Sequence, residues 1–128
     1  MNILGIDYGE KRIGLALADR EMKIATPYKI LGNKGFDFVV NEIRKICETE
    51  SVGEIVVGLP VSLRGKIEFQ AKKVLEFVKF LEVNLKISVK TEDERLTSAM
   101  VDKLAEEQKV ERDAIAAMLI LQSYLDKM

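Results

Sequence analysis

The chain contains no histidine and no tryptophan, and it has one cysteine and two prolines. Without histidine, Ser-His-Asp and Cys-His catalysis is excluded, and so is any metal centre built on imidazole. Acid–base or metal chemistry has to run on carboxylates, lysines, tyrosines or water. A single cysteine cannot form an intrachain disulfide. Cys47 stands at helical spacing from Val40 and Ile43, which marks it as a buried core thiol. No apolar run approaches the roughly 20 residues that span a bilayer. The amino terminus lacks the basic-then-apolar layout of a signal peptide, so the expectation is a cytoplasmic protein. An excess of one charge is missing too: 20 Lys and Arg face 21 Asp and Glu, for a net charge of −1. Dedicated duplex-binding domains are usually basic, so this balance argues against a large nucleic-acid footprint. It leaves room for a local basic rim around an acidic site.

What is present suffices for one domain, spanning residues 1–128, with a substantial core: 48% of the residues are hydrophobic. "NILGID" and "RIGLALAD" read as short buried strands joined by a turn containing Gly9, hence an antiparallel hairpin. "ATPYKIL" reads as a third strand, with Pro27 suited to a sheet edge. Phe36, Val39, Val40, Ile43 and Cys47 form one helical stripe over residues 36 to 50. "EIVVGLP" is an apolar strand stopped by Gly58 and Pro60. Residues 67 to 84 return to helical period through Ile67, Ala71, Val74, Leu75, Val78 and Leu81. "KISVKTED" alternates as a strand, "LTSAMVDKLAEEQ" is a helix capped by Thr97 or Ser98, and "RDAIAAMLILQSYLD" is a deeply packed last helix. The order β-β-β-α-β-α-β-α-α implies an α/β fold, a mixed sheet whose later strands run parallel. Ligands in such sheets bind beyond the carboxyl ends of the parallel strands. Asp7, the "GLP" turn and "DER" at 93–95 all fall where a strand ends.

Three acids stand out against ordinary alternatives. Asp7 would serve equally as a turn residue bonding the backbone of "YGEKR". Asp113 suits the first turn of a helix through the helix dipole. Asp93 and Glu94 are neighbours on a strand, so only one of them can face a given site. Carboxylates gathered on one edge remain ionised together only with a cation between them. Oxygen ligands of this kind suit Mg²⁺ or Mn²⁺, and such ions hydrolyse phosphodiesters without histidine. Lys11, Arg12, Arg64, Lys66 and Arg95 would each pass as solvated surface charge. Their closeness in sequence to the strand-end acids favours phosphate contacts.

"DYGEKRIGLALAD", "VVGLP", "DERLTSAMV" and "DAIAAMLILQSYLD" resemble the four signature blocks of the YqgF/RuvX family, in family order and over essentially the whole chain. The resemblance implies a ribonuclease H-like fold with a five-stranded sheet and a Mg²⁺-dependent nuclease. The family's two assigned roles are 5′ maturation of precursor small-subunit ribosomal RNA and Holliday-junction resolution. By motif position, Asp7, Glu94 and Asp113 match the catalytic, metal-holding acids, and Lys11, Arg12, Arg95 and Thr97 match positions near the site. Where the family often reads "LPLNMDG", this chain reads "LPVSLRG", placing Ser62 and Arg64 at an asparagine and an acid. Arg64 and Lys66 are thereby expected on phosphate. The link "EEQKVER" between the last two helices is short and mixed in sign, where the family often has a longer basic loop.

The leading expectation is therefore an endonuclease acting on structured RNA, with branched DNA second, as a monomer or weak homodimer. The alternative is a non-catalytic nucleic-acid or protein-binding module on the same fold. ATP-dependent phosphate transfer shares the Asp-x-Gly turn but needs two domains around a cleft.

Overall fold

The computed structural model describes residues 1–60, 65–94 and 98–128, with the side chains of 65–68 left aside. Three strands come first, β1 (Asn2–Asp7), β2 (Arg12–Asp19) and β3 (Ala25–Gly32). They are followed by α1 (Phe36–Thr49), β4 (Val52–Pro60), α2 (Gly65–Leu85), β5 (Ser88–Glu94), α3 (Ser98–Gln108) and α4 (Arg112–Asp126). This is the order read from the sequence. Boundaries move by a few residues: β4 begins at Val52 rather than Glu54, and α2 extends past both ends of 67–84. Thr97, one of the two cap candidates, lies outside the described residues.

The five strands form one sheet in the order β3-β2-β1-β4-β5. β2 pairs antiparallel with both β1 and β3, while β4 runs parallel to β1 and β5. Pro27 sits on β3 at the sheet's edge, where a missing N–H costs least.

The two faces of the sheet differ in the size of their side chains. Leu4, Ile6, Ile13 and Leu15 point toward α1 and α2 and pack with Val39, Val40, Ile43, Val74, Phe77 and Leu81. The α2 stripe is corrected in detail. Leu75 is 49% exposed, whereas Phe77 is fully buried and holds the centre of that layer. Phe77 joins Tyr8, Phe36 and Phe80 in an aromatic cluster, with ring centroids 4.5 to 6.2 Å apart. That cluster rewards the register in which position 77 points inward.

The opposite face carries Ile3, Ala16, Ala18 and Ala25, with glycines at 5 and 14, and it receives α4. A Cβ on Gly5 would lie 2.7 Å from the Leu121 Cβ, and one on Gly14 would lie 1.9 Å from the Asp113 carbonyl oxygen. Only glycine permits that approach. α4 therefore rests directly on the sheet and crosses it, touching β3 through Gln122 and β5 through Ser123 and Lys127. Val101 of α3 packs behind it against Ile115 and Ala116.

Candidate active site

β1 is apolar up to its last residue, and its alternation fixes where that residue points. Ile3 and Gly5 face α4, so Asp7 does as well. The turn that follows is tight, since a Cβ on Gly9 would lie 2.4 Å from the Arg12 carbonyl oxygen. Two side chains secure it from outside. The Asn33 amide donates to the Gly9 carbonyl at 2.8 Å, and the Lys73 ammonium of α2 donates to Glu10 Oε1 at 2.7 Å.

β5 reaches the same edge. Glu92 faces α4, accepting hydrogen bonds from Ser123 Oγ at 2.7 Å and Lys127 Nζ at 2.6 Å. Glu94, two residues on, shares that face, and its Oε2 lies near Gly58 of β4. Asp93 points the other way and is exposed. Gly58 leaves room for the Glu94 carboxylate and for Ile120 of α4, since a Cβ there would sit 3.3 Å from the one and 2.4 Å from the other.

Asp113 arrives from α4. Gly14 pairs with Asp7 across the β1–β2 ladder, and the Asp113 backbone lies on Gly14. The first turn of α4 is thus set beside the end of β1. The Asp113 carboxylate accepts a hydrogen bond from Arg12 Nε at 2.9 Å. Neighbouring Arg112 is tied to Asp102 of α3, also at 2.9 Å.

These charges act on Asp7. Burial, then the negative charges of Glu94 and Asp113, raise its pKa to about 7, and Arg112 opposes the rise only in part. Burial also raises the Glu94 pKa. Asp7 and Glu94 line a cleft of about 220 Å³ together with Tyr8, Glu10, Gln70 and Lys73. A cleft with oxygen donors and an only partly compensated negative field is chemically suited to a hard divalent cation. The acids do not form a finished cage: among the described residues, no three acidic or cysteine side chains are grouped closely enough to hold an ion.

Of the residues singled out from the sequence, Asp7 and Glu94 meet in the cleft and Asp113 stands beside it, held by Arg12. Lys11 is exposed on the turn. Arg64, Arg95 and Thr97, and the Lys66 side chain, lie outside the described residues. Sequence reasoning missed Glu10, Asn33, Gln70 and Lys73. Lys73 carries no motif, because its contact with Glu10 joins positions 63 residues apart.

A family model described as "RuvX: Holliday junction resolvase" matches residues 1–127. A protein of Maridesulfovibrio salexigens named "Putative pre-16S rRNA nuclease" is 38% identical over 132 residues, covering 98% of each chain. Proteins with that name from Natranaerobius thermophilus and Clostridium acetobutylicum are 34% and 37% identical, covering 99% and 98% of this chain and 95% and 98% of their own. Among solved structures, T. thermophilus RuvC in complex with a Holliday junction substrate superposes with a TM-score of 0.64 at 12% identity, over 99% of this chain and 95% of that one. The Fowlpox virus resolvase bound to Holliday junction DNA gives 0.60 at 12% identity, over 99% and 98%. At such identities the likeness is one of fold.

Proposed function

The chain belongs to the RuvX family, and from that premise we propose that it cuts phosphodiester bonds in structured nucleic acid at the Asp7–Glu94 cleft. It is a nuclease, as its relatives' names and its RuvC-like fold together support. We take precursor 16S ribosomal RNA as the first substrate and a four-way DNA junction as the second, with the reaction located in the cytoplasm. The observation that carries this reading is the pair of partly buried carboxylates at the carboxyl ends of β1 and β5. Burial, with the charges of Glu94 and Asp113 added to it, brings Asp7 to the edge of protonation at neutral pH.

Asp7 and Glu94 would hold a divalent cation, Mg²⁺ or Mn²⁺, with Asp113 as third ligand once Arg12 releases it. Such an ion supplies Lewis-acid stabilisation of the phosphoryl oxygens and an acidified water. The chain's own residues do the rest. Asp7 gives up its proton as the site is loaded. Arg12, exposed on its outer side, exchanges the Asp113 carboxylate for a substrate phosphate, one charge-assisted hydrogen bond for another. Lys11 extends that basic rim along the turn. Gly58 leaves the space that the Glu94 carboxylate occupies beside Ile120 of α4.

The test is a cleavage assay offering a precursor ribosomal RNA fragment, a four-way DNA junction and a linear duplex, with Mg²⁺ or Mn²⁺. The wild-type protein should cut at least one of the branched or structured substrates. Glu94→Gln should lose more than about 100-fold in rate, since even outer-sphere partners of a metal are worth 10- to 100-fold, while retaining nucleic-acid binding. Asp93→Asn, facing away, should lose far less. No metal-dependent cleavage of any substrate, with both variants indistinguishable from wild type, would leave a binding module as the better description.

A further inference from the structure

α2 carries an aromatic ring that the core does not use. Tyr8, Phe36, Phe77 and Phe80 pack on one another around the core, Phe77 fully buried and the other three half-buried. Phe69 is instead 61% exposed, and the Lys73 ammonium lies 5.3 Å from its ring centroid. A lone exposed phenylalanine is ordinary. This one stands one helical turn from a lysine that lines the same cleft as Asp7 and Glu94.

We propose that Lys73 and Phe69 form a subsite for one unpaired nucleotide, the Lys73 ammonium taking its phosphate and the Phe69 ring its base. The subsite lies beside the proposed nuclease centre and rests on that reading for its substrate class. Lys73 is already placed on an anion: Glu10 Oε1 lies 2.7 Å from its Nζ. Both partners of that pair are well exposed, so water competes with it and exchange for another oxygen anion costs little. A phosphate arriving at Lys73 displaces Glu10, and the ammonium stays beside the ring. Gln70, also on the cleft wall, offers a donor and an acceptor that charge alone would not supply.

Phe69 determines which nucleotides can use the subsite. Bases inside a duplex are stacked on their neighbours and have no free face. Only a base in an overhang, a loop or a branch point can lie on the ring. Lys73 alone would accept any backbone. Lysine and ring together select nucleic acid that is single-stranded next to the bond being cut.

The test separates the two parts and involves no cleavage. The probe is a short duplex with a single-stranded overhang carrying 2-aminopurine, compared with the blunt duplex, in buffer without divalent ions. The wild-type protein should bind the overhang more tightly and quench the fluorescent base. Phe69→Leu keeps the apolar bulk and removes the π face. It should lose roughly 5- to 100-fold in overhang affinity with the blunt duplex unaffected, and Phe69→Trp should restore it. Lys73→Gln should weaken both probes and flatten the salt dependence by about one unit of slope, while Glu10→Gln should tighten both. Wild-type overhang binding and quenching in Phe69→Leu would overturn the proposal even if the protein proves to be an active nuclease. Loss of the overhang preference in Phe69→Leu would uphold the subsite even if cleavage is never observed.

Discussion

Asp7 shows how strongly a few neighbours can redefine one carboxyl group. In an unfolded chain it ionises near its ordinary value of 3.8; in the folded protein it holds its proton up to about 7. The folded state therefore binds the proton more tightly. Stability from this group is fully present below pH 4 and is lost as pH rises through about 7. Metal-free Asp7→Asn should be more stable than wild type at pH 8, by up to roughly 4 kcal/mol, and nearly equal to it at pH 4. Denaturant midpoints at the two pH values check this. The same variant should bind Mn²⁺ much more weakly in a calorimetric titration. Wild-type affinity for the ion should rise between pH 6 and 8, because protons compete for Asp7. Stability and activity would then move in opposite directions, as they do where a site stores repulsion for later use.

At the scale of elements, α4 places the third acid, and the sheet's glycines place α4. Gly14→Ala would drive a methyl group into the Asp113 carbonyl. It should cost roughly 1–3 kcal/mol or more, lowering Tm, and it should reduce cleavage beyond the fraction of protein unfolded, because Asp113 is moved. At the other end of α4, Lys127 holds the buried Glu92. Lys127→Met should lower stability, because it takes the ammonium away from a buried carboxylate, and a denaturant midpoint checks this. The succession of elements along the chain and the hairpin were legible in the sequence because both rest on local signals: unbroken apolar runs, a four-residue turn, and Pro27 where an edge strand tolerates it. The inward placement of Glu94 was legible through alternation and family motif. Position 77 was missed because helical period alone admits Leu75 and Phe77 almost equally, and the choice is made by Tyr8, Phe36 and Phe80 across the core. Arg12 was read as a phosphate contact, and its hold on Asp113 was not foreseen, since that bond spans 101 positions. Lys73 and Glu10 were invisible for the same reason.

For the whole molecule, a net charge of −1 means that no broad positive field draws in nucleic acid. Binding has to come from a few local cations, and its salt dependence counts them. Neutralising Arg64 and Lys66 together should lower the slope of log affinity against log salt by up to roughly two, about equally across sequences. An unchanged slope would return both residues to the solvated surface. The missing histidines have a further effect. Histidine is the side chain whose ordinary pKa makes proteins buffer around neutrality, and this chain has none. Burial and its acidic neighbours bring Asp7, at the end of β1, to about 7 instead. A cation seated on Asp7 would displace that proton into a weakly buffered solution. A pH electrode would follow loading of the site with no label and no substrate, the protons released per ion falling as the starting pH is raised through 7.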